Sequence, residues 1–301
     1  MFFKDDWLSW TYNGVKFGNK TTPQTKLEFQ FKKVISRPLK SHKEELLENT
    51  RAMRDRFNEP FDLMFSGGVD SEIILRCHIE LGIPINVFIF KYNNDYNAHD
   101  VRHALRICNE LNITPVVIDF NLEKFFENDA YDIWKHTYDI QAGRLPQMKM
   151  IEYLDNIPIM GDGCPYWVYS NGEWIFELDE VGHGQSIYAI TQQRTVLADW
   201  FEYSPESILS HLNMPRIQNL FNSKEIPTKY TFEFTKYFVY KDIWPDIVPR
   251  PKRNGYERFE TLPKMCAVTE LQEFQKNYIN TIDINHTCYQ YTKDELITLL
   301  S

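Results

Sequence analysis

The sequence predicts an α/β fold built on a doubly wound parallel sheet. Four short apolar runs, at residues 61–65, 85–90, 116–120 and 157–160, have the length and composition of buried strands. Helical stretches separate them, at 72–81, 98–111 and 122–153. A glycine-containing turn joins the first run directly to the helix after it. Alternation of this kind implies parallel strands, right-handed crossovers and helices on both faces of the sheet.

Residues 1–40 read as a β-rich extension. Leu8, Trp10 and Tyr12 alternate, Asn13-Gly14 is a hairpin turn signal, and Val15 and Phe17 resume the alternation. Leu27, Phe29 and Phe31 mark a further strand. Residues 41–200 form the expected core. Its first helix opens on a capping box, Ser41 with Glu44, and stops near Phe57 before Pro60. Gly82 closes the helix that follows the first parallel strand. Beyond residue 160 the rhythm changes. A hairpin is expected over 166–178 around Asn171-Gly172, with helices over 187–200 and 205–212, the latter with Ser204 as cap and Pro205 first. Residues 201–301 are expected to be mostly helical and packed on the core. They end in a helix whose capping box pairs Thr292 with Glu295.

Composition narrows the class. The chain has 301 residues, 43% hydrophobic and 25% charged, which is globular and large enough for a sizeable core. Its apolar runs are too short to span a bilayer, and its first residues lack the order of a secretory signal. Five cysteines, with no C-x-x-C pair, give little support to a disulfide framework, a zinc ribbon or an iron–sulfur site. A reducing cytoplasm is the expected setting. A net charge of −9 argues against a generally basic surface, although 32–43 and 250–258 are locally basic.

The informative string is Ser66-Gly67-Gly68-Val69-Asp70-Ser71, set between a strand and a helix. Gly67 and Gly68 can take backbone angles closed to other residues, and they let phosphate oxygens approach main-chain N–H groups. The helix N-terminus adds unpaired donors and a positive dipole. Ser66 and Ser71 contribute hydroxyls. Asp70, an anion, suits Mg²⁺ rather than phosphate.

This string resembles the S-G-G-x-D-S signature of the N-type ATP pyrophosphatases, the PP-loop family. The resemblance is nearest in pattern to the synthetase domain of asparagine synthetase. It covers residues 44–260 in order of elements and implies an adenine nucleotide alpha-hydrolase-like sheet that binds ATP and Mg²⁺. It implies that the strand end at Phe90 lies near adenine. Ile159-Met160-Gly161-Asp162-Gly163 is similar to the family's strand leading into an acidic turn, which makes Asp162 the counterpart of an acid near the substrate, the pyrophosphate or the metal. Arg250-Pro251-Lys252-Arg253 resembles the late basic segment, which makes Lys252 the cation facing the departing pyrophosphate. Position 2 is Phe2, where asparagine synthetase carries the nucleophilic cysteine of a glutaminase domain. Nitrogen would therefore come from ammonia, an amine substrate or a partner. Stand-alone relatives of this kind are common in bacteriophage genomes.

Three functions follow. The favoured one is adenylation of a small-molecule acid, with release of pyrophosphate and amide formation by an amine or ammonia. The second makes the acceptor a nucleobase of tRNA or DNA, on the basic stretches at 32–43 and 250–258. The third is a nucleotide-binding protein without turnover. Five other features are weighed and set aside. His99 and His103 have zinc-ligand spacing but no evident third ligand, and a polar helix face near the nucleotide is favoured. Cys164 suits persulfide chemistry, but buried cysteines are common. Gly18-Asn19-Lys20-Thr21 fails the Walker A spacing. Gly182-His183-Gly184 reads as a loop. The aromatic run at 230–244 reads as core.

Overall fold

The computed structural model describes residues 8–12, 15–16, 27–31, 35, 37–137, 139, 144–161, 167–170, 172–179, 184–198, 200–223, 229–248, 262–273 and 288–300. Strands β1 (Leu8–Tyr12), β2 (Val15–Lys16) and β3 (Leu27–Phe31) form the expected N-terminal antiparallel sheet, in the order β2-β1-β3. Helix α1 (His42–Arg56) opens on the Ser41–Glu44 capping box, with both reciprocal bonds formed. The central sheet contains β4 (Phe61–Met64), β5 (Asn86–Tyr92), β6 (Val116–Phe120) and β7 (Ile157–Met160). All its pairings are parallel, in the order β6-β5-β4-β7. The expected parallel α/β sheet is therefore present.

The period-2 geometry of strands explains how this sheet fills two cores. Phe61, Leu63, Val87, Ile89, Ile157 and Ile159 point to one face. There they meet α1, α2 (Val69–Leu81), α3 (Ala98–Glu110) and α10 (Lys229–Ile243). Met64, Phe90, Tyr92 and Met160 point to the other. Here the cover is α4 (Leu122–Asn128), α5 (Ala130–Thr137), α6 (Leu145–Met150) and α7 (Gly184–Thr191). A third cluster lies under the hairpin of β8 (Trp167–Ser170) and β9 (Glu173–Asp179). It includes α8 (Pro205–Leu212), which Ser204 caps, while α9 (Pro215–Asn222) adds Leu220 and Phe221 at its edge.

Two features depart from expectation. The helix expected over 187–200 ends at Thr191. Gln193 is left-handed, with φ 52°, and the following chain turns extended, pairing Leu197 with Ile159 beside β7. Arg194 holds that course by donating to the carbonyls of Ile151, Leu154 and Asn156. The C-terminal part also contributes a strand, β10 (Cys288–Thr292), antiparallel to β9. The last helix, α11 (Lys293–Leu300), carries the predicted Thr292–Glu295 box. No described helix is long and apolar enough to cross a membrane.

Buried polar groups fix the bottom of the sheet and set its pH response. Asp62 is wholly buried in β4 and accepts from the Asn86 side chain at 2.8 Å and from Asn156 at 2.9 Å. His42, His78 and His211 are buried as well. The Nδ1–H of His78 donates to the Ile74 carbonyl at 2.8 Å, and its Nε2 has no partner. Burial pushes His78 down to about 4, His42 down to about 3, and His211 well below the usual range. All three are neutral in the fold and take up protons once unfolded, so their contribution is complete above about pH 6.5 and is lost as pH falls below it. Glu72, raised by burial, acts in the opposite direction at lower pH. Unfolding free energies from urea titration are expected to fall between pH 7 and 5, by about 1.4 kcal/mol per pH unit for each histidine once it titrates. His78→Gln should flatten that slope, and a wild-type unfolding free energy that stays constant from pH 7 to 5 would contradict the reading.

Candidate functional site

The site is built where β4 and β7 end. The chain leaves β4 for one side of the sheet through β5 and β6, and returns on the other side as β7. This reversal opens a crevice at the strand carboxyl ends, the usual ligand position in such sheets. The loop of Ser66, Gly67 and Gly68 lies there and runs straight into α2.

Two glycines let the backbones close up. Gly67 has φ +70°, and a Cβ on it would lie 2.6 Å from the Ala104 nitrogen of α3. Only glycine meets both demands. Gly161 follows β7, and a Cβ there would lie 2.6 Å from the Ser71 nitrogen. The strand after the switch point thus touches the first turn of α2. This gives the first glycine of Gly161-Asp162-Gly163 a packing reason.

The start of α2 is arranged for an anion. Its N-cap is Gly68, which offers no side-chain cap, and the first intrahelical bond runs from Glu72 N to Gly68 O at 3.0 Å. The amides of Val69, Asp70 and Ser71 precede that bond and have no partner within the helix. Ser66 is exposed, Gly68 and Asp70 are half-buried, and Gly67, Val69 and Ser71 are buried. The Gly68 N–H donates to Ser66 Oγ at 3.2 Å, and Ser71 Oγ donates to the Gly68 carbonyl at 3.0 Å. The loop's hydroxyls thus brace its turn, and Ser66 is the one that faces outward.

Asp70 faces a cation that the sequence reading missed. Lys236 of α10 places Nζ 3.1 and 3.3 Å from the two Asp70 carboxylate oxygens. Further ties hold α10 along α2. Trp244 Nε1 donates to Glu80 at 3.2 Å. Arg76 donates to Asp246 just after α10 at 2.8 Å, and to buried Glu72 at 2.8 Å. No local motif marks Lys236, which sits in the aromatic run at 230–244. Within that run Tyr237, Tyr240 and Trp244 are buried in the first core, consistent with the core reading.

The remaining candidates sort as follows. Phe90 is 7% exposed, with its ring edge-on to Tyr153, and its carbonyl accepts from the Asn97 side chain at 2.8 Å. Its side chain therefore belongs to the core. Asp162 and Lys252 lie outside the described residues, as do Cys164, Gly182-His183 and 18–21. His99 and His103 stack edge to face, with centroids 4.8 Å apart, immediately before Ala104. Among the described residues no group of three or more His, Cys, Asp or Glu could hold a metal ion. Cys77 and Cys108 are buried, which raises both thiols, Cys108 to about 11, and keeps them protonated at neutral pH. In the first basic stretch, Arg37, Lys40 and Lys43 pair with Glu45, Glu48 and Glu80 at 2.5, 2.8 and 2.8 Å. Their charge is largely met within the fold. The second stretch, 250–258, lies outside the described residues.

No protein-family model and no curated protein matches this chain. Among solved structures it is similar to an NMN synthetase from Francisella tularensis. The identity is 14% over 78% of this chain and 94% of that one, with a TM-score of 0.32. It is also similar to an NH3-dependent NAD synthetase from Campylobacter jejuni, at 12% identity over 70% and 97% of the two chains and a TM-score of 0.31. Similarities of that size do not assign an activity. The parallel α/β sheet stands on its own strand pairings.

Proposed function

We propose that the protein binds ATP on the loop of Ser66 to Ser71 and cleaves it between the α- and β-phosphates, adenylating a substrate. The observation that carries this reading is the loop itself: a left-handed Gly67 wedged against α3, an uncapped N-terminus of α2, and Asp70 at its mouth, all at the switch point of a parallel sheet. Ser66, Gly67, Gly68, Val69 and Ser71 would hold the β- and γ-phosphates through main-chain amides and the Ser66 hydroxyl.

The donor set suits a hard cation, because Asp70 offers carboxylate oxygens and already faces the ammonium of Lys236. Asp70 would hold Mg²⁺, with Asp162 as a second oxygen ligand. The metal, when bound, would neutralise phosphate charge. Lys252 would face the departing pyrophosphate. In the favoured chemistry a substrate carboxylate oxygen attacks the α-phosphorus and the α–β bridging bond breaks, releasing pyrophosphate. An amine or ammonia then attacks the acyl carbon and AMP leaves, giving an amide. The ion pairs of Arg37, Lys40 and Lys43 weaken the case for a nucleic-acid acceptor.

The test is product analysis with ATP, Mg²⁺ and panels of carboxylic acids and amines. Pyrophosphate and AMP in equal amounts are expected. ADP and orthophosphate would contradict the reading.

A further inference from the structure

We propose that Lys236 is an exchangeable counter-cation of the phosphate loop. It holds Asp70 while the loop is empty, and it turns to the triphosphate when Asp70 takes a divalent metal. The inference rests on the phosphate-binding reading above and concerns how this chain prepares that site.

Three observations carry it. First, the ammonium lies nearly evenly over both Asp70 oxygens, at 3.1 and 3.3 Å. That is where a divalent cation would sit on the same carboxylate, so Lys236 and a metal compete for one place. Second, Asp70 belongs to the first turn of α2, where the helix dipole favours anions and disfavours cations. Lys236 is stable there because Asp70 offsets the dipole. Once a metal takes its place on Asp70, phosphates on the adjoining amides offer the ammonium a nearby anion. Third, the helix is fixed while the tip can move. Downstream contacts of Trp244 with Glu80 and of Asp246 with Arg76 hold the backbone near α2. The two side chains of the pair keep 20% and 25% of their surface exposed.

A merely structural lysine, when lost, would weaken every ligand. An exchangeable one gives opposite signs. In Lys236→Met, Mn²⁺ binding without nucleotide, followed by electron paramagnetic resonance, is expected to tighten about three- to tenfold, and ATP binding in EDTA, followed by calorimetry, to weaken about tenfold. Lys236→Arg keeps the charge and should stay near wild type in both. Wild-type protein with ¹³C-methylated lysines offers a readout free of folding effects: the Lys236 signal should shift on adding Mg·ATP. Weakening of both ligands in Lys236→Met, or a Lys236 signal that does not move while ATP binds, would overturn the exchange and leave the phosphate-loop reading standing. Wild-type protein that binds no ATP would overturn both.

Discussion

Gly67→Ala is expected to destroy nucleotide binding and to cost the fold several kcal/mol. Gly67 has φ +70°, and the added methyl would meet the Ala104 backbone nitrogen at 2.6 Å and its Cα at 2.9 Å. The left-handed angle alone costs about 1–3 kcal/mol for a residue with a side chain. Forcing a methyl into packed backbone adds about 1–3 kcal/mol more. Neither α3 nor the loop can yield cheaply, because Ala104 is wholly buried in the first core. The loop must move, and the amides at the start of α2 lose their alignment. Gly68→Ala is the control. Gly68 has φ −76°, and its nearest obstacle is Ser66 Oγ at 3.2 Å, a side-chain tip. Urea denaturation should show a large loss for the first variant and a small one for the second. Equal losses would mean that the contact with α3 does not shape the loop.

The second large effect is expected at Arg76. Its guanidinium, 8% exposed, donates to Glu72, 3% exposed, and to Asp246, which is mostly in solvent. Burial raises Glu72 despite that partner, so its charge depends on Arg76. Arg76→Met leaves a buried carboxylate without its cation and should cost about 3–5 kcal/mol near neutral pH. Adding Glu72→Leu should restore much of that loss, because an apolar pair of similar volume replaces a desolvated ion pair. The single variant should also loosen α10, since the tie to Asp246 goes with it, and thereby displace Lys236 from Asp70. Denaturation of the single and double variants checks the coupling. A double variant no more stable than the single one would contradict it.

What the sequence disclosed follows from the range of the interactions involved. The Ser41–Glu44 and Thr292–Glu295 boxes, the Gly82 stop, and the short apolar runs at 61–65 and 85–90 are signals within a few residues. The turn of Ser66 to Ser71 was legible for the same reason, as glycines between a strand and a helix. Lys236 was not, because it meets Asp70 across 166 residues of chain, from a helix whose pattern speaks only of burial. Pairing of β10 with β9 is equally remote in sequence. The helix expected over 187–200 failed for a tertiary reason. Arg194 finds three carbonyls at the foot of β7, and that anchorage outweighs helical propensity. Phe90 entered through the resemblance, as a strand end near adenine, and its side chain is buried in the second core.

The most direct measurement is a ¹⁵N–¹H spectrum of the wild-type protein titrated with ATP. Large, saturable shifts of the amides of Gly67, Gly68, Val69, Asp70 and Ser71 are expected, and adenosine alone should not reproduce them. Shifts confined to other parts of the chain, or none, would contradict the reading of this loop as the seat of the triphosphate.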